Sequence, residues 1–172
     1  QINAWRFSVT HLRKQLVGLY GHVFFEFTIP RVGSRADVVL LINGIIFILE
    51  YKVGSNQFLT ADLDQAHGYA LDLKNFHEQS HDRLIVPILI STEAKNLPVK
   101  VQFASDGVAD PIRSNGSNIQ SIVFEALTNG HGPTLDAMKW AEGRYKPTPT
   151  IIEAAQALYR NHSVDEITWP AP

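Results

Sequence analysis

Apolar and polar positions switch between two periods along this chain, and the switches mark its elements. Leu12, Leu16, Val17 and Leu19 fall on one side of a 3.6-residue spiral. That spacing predicts a helix over residues 8–20, capped by Ser8 or Thr10 and ended by Gly21. Residues 23–29 change to period two, with Phe25, Phe27 and Ile29 expected on one face and Glu26 and Thr28 on the other. After a connection at 30–34, residues 35–52 hold two β-branched apolar runs around Asn43-Gly44, the strongest short-range signal for a two-residue hairpin. Residues 60–77 return to a helical pattern. Thr60 is the expected N-cap, Asp62 and Asp64 lie in the dipole-favoured first turn, and Leu63, Ala66, Ala70 and Leu73 should pack on a sheet. Residues 84–90 form an apolar strand, expected to run parallel to a neighbour because a helical crossover precedes it. The fold class is therefore α/β, a mixed central sheet flanked by helices.

Beyond Ser91 the pattern is weaker. Residues 98–103 read as a further strand and 106–118 as loop, rich in Gly, Asn, Ser and Pro. Residues 119–127 suit helix or strand, and helix is expected. Residues 145–150 read as a stiff Pro-containing linker before a helix at 151–159. Ser163 to Glu166 resembles a capping box whose helix would meet Pro170 almost at once. The expected organisation is one domain over 1–144, then a linker and helical segment over 145–172 leading to a further domain. Gln1 is not a methionine, which fits a piece of something longer.

The hairpin carries the candidate chemistry. With Ile42 paired to Ile45, Asp37 falls opposite Glu50, and Lys52 projects from the same face as Glu50. Like charges directly across a strand pair repel, so two carboxylates and a lysine at the end of an apolar hairpin have little structural reason to be there. Hard cations take carboxylate oxygens, and Asp37 and Glu50 suit Mg²⁺ or Mn²⁺. Such an ion would acidify a water and offset charge on a phosphate, with Lys52 orienting the water or stabilising the oxyanion. The plainer reading is a strand-end salt bridge on the rim of a sheet.

These residues resemble the PD-(D/E)XK nuclease superfamily: an aspartate, Asp37, followed by a Glu-x-Lys strand, Glu50-Tyr51-Lys52. On the next helix Gln65 and Tyr69 are similar to the Gln-x-x-x-Tyr motif of its RecB-like branch. Most of the chain resembles the nuclease-like domain that precedes a helicase-type ATPase in some bacterial proteins. The resemblance implies a restriction-endonuclease-like core ordered α-β-β-β-α-β and metal-dependent cleavage of DNA. Its implied catalytic residues are Asp37, Glu50, Lys52, Gln65 and Tyr69, with Asp37 and Glu50 as metal ligands. Two departures stand out. The first helix contains no Asp or Glu, so Glu26 is the candidate for the extra carboxylate, and Ala36 stands where the superfamily's proline would be. Arg31 and Arg35 flank the proposed site and are candidates for contacts to backbone phosphates. The implied partners are DNA and a linked or associated helicase-type ATPase, with a homodimer as one arrangement. The alternative is an inactive module of the same fold that binds nucleic acid for a partner.

Composition narrows this further. A net charge of −2 excludes a general polybasic coat, though not a local basic rim. No apolar run is long enough to span a membrane, and no signal peptide or phosphate-binding Walker loop is visible. Absence of cysteine excludes disulfides and thiolate metal sites and fits a cytoplasmic setting. One competing motif, His77-Glu78-Gln79-Ser80-His81, matches His-Glu-x-x-His of zinc peptidases. That motif needs an unbroken helix beneath both histidines, and here a β-rich run begins at Leu84. Trp5, Trp140 and Trp169 are far apart and read as packing or interface residues rather than base-stacking platforms. Asp110, His131 and Asp136 form no recognisable set.

Overall fold

Asn43 and Gly44 set the register of the whole sheet. Both take positive φ, 47° and 80°, the conformation of a type I′ turn, whose twist matches that of the strands it joins. The structure, a computed structural model, describes residues 2–161. Strand β2 (Arg35–Ile42) and strand β3 (Ile45–Lys52) pair antiparallel from Ile42↔Ile45 to Val38↔Leu49. Strand β1 (His22–Thr28) adds to the outer edge of β2. A helical crossover, α2 (Thr60–Phe76), returns the chain to β4 (Leu84–Ser91), which pairs parallel to β3, and a short β5 (Ile112–Ser114) completes a five-stranded mixed sheet in sequence order.

Helices cover both faces, as the apolar pattern requires. One face packs Val38, Leu40, Phe47, Leu49 and Val86 against α1 (Ile2–Gln15) through Leu12 and against α3 (Ile119–Asn129) through Ile119, Ile122, Val123 and Ala126. The other packs Val39, Leu41, Ile46, Ile48 and Ile85 against Ala70 and Leu73 of α2 and Trp140 of α4 (Ala137–Ala141). The buried stripe of α2 is Leu63, Ala66, Ala70 and Leu73, the four positions its periodicity picks out. The last helix among the described residues, α5 (Pro149–Asn161), buries none of its residues.

Several sequence expectations are corrected. The first helix begins earlier and ends at Gln15, because Gly18, with φ of 81°, supplies the left-handed step three residues before Gly21. Leu59, not Thr60, occupies the N-cap of α2, with no side-chain cap. Residues 98–103 form no strand, only a single bridge from Phe103 to Ala109, and β5 lies inside the segment expected to be loop. Residues 145–148 are tied to the end of α2. The amides of Lys146 and Thr148 donate to the carbonyls of Phe76 and Asn75, and Tyr145 stacks on Phe76 at 5.8 Å. The capping box at Ser163 and Trp169 lie outside the described residues.

The alternation expected in β1 also fails at one point. Val23 and Phe25 border α1, but Phe27 packs beside Phe24 and Trp140 on the opposite face. Glu26, with φ of 52°, absorbs the change. Strand β2 makes the same exchange at the same level, since Val38 faces α1 and Ala36 faces the other core. Because both strands step together, register is kept: Phe25↔Val38 and Phe27↔Ala36. The residue between Ala36 and Val38 is Asp37.

Candidate active site

Asp37 stands one step beyond the last recorded rung between β2 and β3. There its carboxylate replaces the backbone ladder: the Tyr51 amide donates to Asp37 Oδ2 at 2.9 Å. This holds Asp37 beside Glu50, whose residue is 5% exposed. Lys52 projects to the same side as Glu50, with Nζ 3.5 Å from Glu50 Oε1. Burial, reinforced by the neighbouring Asp37 charge and opposed by Lys52, pushes the Glu50 carboxyl up to about 7. Burial likewise raises the Tyr51 hydroxyl, on the opposite face of β3.

Helix α2 supplies the far side. Lys52 Nζ donates to Gln65 Oε1 at 3.3 Å, and Gln65 Nε2 donates to the Tyr69 hydroxyl at 3.1 Å. The relay Lys52–Gln65–Tyr69 thus joins the strand to the helix. A residue assigned only to the helix dipole joins it: Asp62 lies 3.6 Å from Lys52 Nζ. Its spacing carried the signal, because Asp62, Gln65 and Tyr69 lie at i, i+3 and i+7 on one helix face.

Asp37 forms part of the wall between two open hollows. One, about 770 Å³, is bounded by Trp5, Phe25, Glu26, Arg35, Lys52 and Asp62 among others. The second, about 660 Å³, contains Glu50 and Tyr69 with Ser34 and Arg35. Arg35 and Glu26 pair weakly at 4.0 Å, both well exposed. Arg31 is placed elsewhere, its guanidinium 5.7 Å above the Tyr145 ring, and it lines neither hollow.

Glu50 Oε2 is buried and has no hydrogen-bond partner, and the nearby Asp37 carboxylate disfavours its ionised form. The available donors are oxygens, which suits a hard divalent cation. Among the described residues no cluster of three or more His, Cys, Asp or Glu side chains stands together. Two carboxylates still fit Mg²⁺, which is commonly held by one or two carboxylates with waters and substrate phosphate oxygens.

The His-Glu-x-x-His segment is built differently from a zinc-peptidase helix. Helix α2 ends at Phe76, His77 is extended, and Glu78–Ser80 form a 3₁₀ turn. His77 Nδ1 meets the Ser80 hydroxyl at 2.7 Å, and that hydroxyl accepts from Trp140 Nε1 at 2.9 Å. Glu78 is taken up by Arg144 and Lys146. Burial lowers His77 to about 4, leaving a neutral core ring. Trp140 is fully buried, whereas Trp5 is half exposed at the mouth of the larger hollow. Asp136 caps α4 by accepting from the Lys139 amide.

Comparison with protein-family models, with curated protein sequences and with solved structures found no match. Fold and site therefore define a class and no more: an α/β protein with a five-stranded mixed sheet and a carboxylate–carboxylate–lysine cluster at its β2–β3 end. No helix among the described residues is long and apolar enough to cross a membrane.

Proposed function

We propose that this chain is a metal-dependent nuclease of the PD-(D/E)XK type, with a restriction-endonuclease-like core, hydrolysing phosphodiester bonds in DNA. The observation that carries the reading is the unpartnered, buried Glu50 oxygen held beside Asp37 with Lys52 on the same face. Such a cluster costs the fold stability, and it is compensated when a cation and a phosphate enter. The order α1, β1 to β3, α2, β4 supports the same reading.

In this reading Asp37 and Glu50 hold Mg²⁺ or Mn²⁺, with Glu26 nearest in register as a further carboxylate. The bound ion supplies Lewis acidity toward a phosphate oxygen and lowers the pKa of water. Lys52 offers its ammonium to the charge that builds on the phosphate. Asp62 and Gln65 keep that ammonium fixed, and Tyr69 braces Gln65. Arg35, on the wall of both hollows, contacts a flanking phosphate.

The alternative is a nuclease-fold module that binds nucleic acid without turnover, favoured by Lys52 being shared between Glu50 and Asp62. Calorimetric titration with Mg²⁺ and Mn²⁺, run with DNA cleavage assays on wild type, Asp37→Ala and Glu50→Ala, separates the two. Metal binding and cleavage lost together in both variants support the nuclease. Weak, unaltered metal binding with no cleavage of any substrate leaves the binding module.

A further inference from the structure

The larger hollow has two unlike walls. One is the charged cluster at Asp37, Lys52 and Asp62; the other is aromatic and apolar, formed by Trp5 of α1 and Phe25 of β1. Their rings meet edge to face at 6.2 Å, yet both remain exposed, Trp5 by 49% and Phe25 by 40%. Core aromatics in this protein are treated otherwise: Trp140 and Phe47 are fully buried. A separate apolar hollow of about 270 Å³, which shares Phe25 with the larger one, is lined by Leu12, Leu16 and Val23 with Arg13. Helix α1 carries Arg6, Arg13 and Lys14 and no carboxylate. Half-exposed aromatic rings and the charged residues Asp37 and Lys52 line one hollow, and the helix that supplies Trp5 carries cations and no carboxylate.

We propose that this hollow binds an unpaired DNA strand, one base stacking on the Trp5–Phe25 pair while the neighbouring phosphate lies at Asp37 and Lys52. The proposal rests on the nuclease-fold reading for the second half of that sentence and not for the first. Aromatic faces are useful to bases that are not already stacked in a duplex. Charge points the same way. Each cation in the larger hollow stands near a carboxylate, Arg35 near Glu26 and Lys52 near Glu50 and Asp62. The whole chain carries a net charge of −2. A duplex gripped through its backbone needs a broad cationic face, because phosphate contacts supply most of its affinity. Here phosphate contacts are few, and stacking must supply the rest. A second copy adding to the exposed β1 edge is the competing occupant; it would leave the charge of the hollow unused.

The experiment is fluorescence anisotropy of a labelled oligothymidylate with the full chain in EDTA, where cleavage is silent, with an unlabelled duplex of equal length as competitor. The single strand is expected to bind and the duplex to compete poorly. Trp5→Ala should weaken binding about 5- to 150-fold, the range for loss of one stacked base. Trp5→Phe, which keeps a ring and the fold, should restore most of it. Two phosphate contacts give a slope of about −1.4 in log affinity against log salt. Equal competition by duplex, or affinity unchanged in Trp5→Ala, overturns the proposal. So does a solution dimer that Trp5→Ala dissociates while no oligonucleotide binds. Failure of the nuclease reading looks different: Trp5-dependent strand binding with no Mg²⁺-dependent cleavage sinks that reading and leaves this one standing.

Discussion

Replacing Glu50 by glutamine should make the metal-free protein more stable, and by an amount that depends on pH. The Glu50 carboxyl is raised from 4.5 to about 7, first by burial and then by the Asp37 charge. The fold therefore prefers the protonated acid. The stability this confers is complete below about pH 4.5, where the unfolded chain is protonated too, and is lost as pH rises through about 7. The displacement corresponds to about 3 kcal/mol. That is a large share of the roughly 5–15 kcal/mol that holds a typical domain folded. Glutamine keeps the shape and the acceptor for Lys52 but carries no charge. In urea melts with EDTA, Glu50→Gln should exceed wild type by nearly 3 kcal/mol near pH 8 and by about 1 kcal/mol or less near pH 5. Adding Mg²⁺ should narrow the gap from the wild-type side, since a ligand that binds only the folded state stabilises it. A variant less stable than wild type by the same amount at both pH values would show that Glu50 is a structural salt bridge, and would refute the reasoning.

Three further outcomes are expected. Lys52→Met should leave metal affinity within a few-fold of wild type by calorimetry and lower kcat for DNA cleavage by about 10²–10³, the usual cost of removing one charge-stabilising donor. His77, lowered from 6.5 to about 4 by burial, should contribute stability that is present above about pH 6.5 and lost as pH falls through 4, up to about 3 kcal/mol; His77→Gln should flatten that acid limb in urea melts at stepped pH. Gly44→Ala should cost at least about 1–3 kcal/mol in the same melts, because the position needs φ of 80° and an added Cβ would lie 2.5 Å from the Gly132 carbonyl oxygen.

The hairpin and the crossover helix were legible because their signals are local. Asn43-Gly44 selects one turn, the turn fixes the register, and the register places Asp37, Glu50 and Lys52 together. The stripe Leu63, Ala66, Ala70 and Leu73 likewise follows from helical spacing alone. What escaped depends on contacts distant in sequence. Residues 112–114 read as loop because so short a strand has no periodicity; it exists because β4 offers a parallel edge at Ile88 and Ile90. Residues 145–148 read as linker because nothing in them announces that Phe76 and Asn75 will accept their amides. Asp62 was visible as a helix residue but not as a partner of Lys52, since that needs the angle at which α2 crosses β3. Trp5 is illegible for a similar reason: its isolation in sequence says nothing of its exposure.

The concerted step at Glu26 and Asp37 connects these observations. In an unbroken pleat, Val38 and Ala36 would share a face and Asp37 would point across the sheet from them. Here both strands exchange faces at one level, so the normal rung beside Glu50 is missing and the Tyr51 amide must find another acceptor, which is Asp37 itself. The same step turns Phe25 toward α1 while Phe27 stays in the opposite core, and that leaves an aromatic wall opposite the carboxylates. A residue held at φ of 52° without being glycine is strained, by about 1–3 kcal/mol. Two carboxylates placed side by side, one of them buried, add to that cost. Neither feature improves the packing of the sheet, and the two meet at Asp37, which lines both hollows. Their coincidence is what favours a ligand-binding origin over a salt bridge at a sheet rim, because a rim salt bridge requires neither the broken pleat nor the unpartnered oxygen.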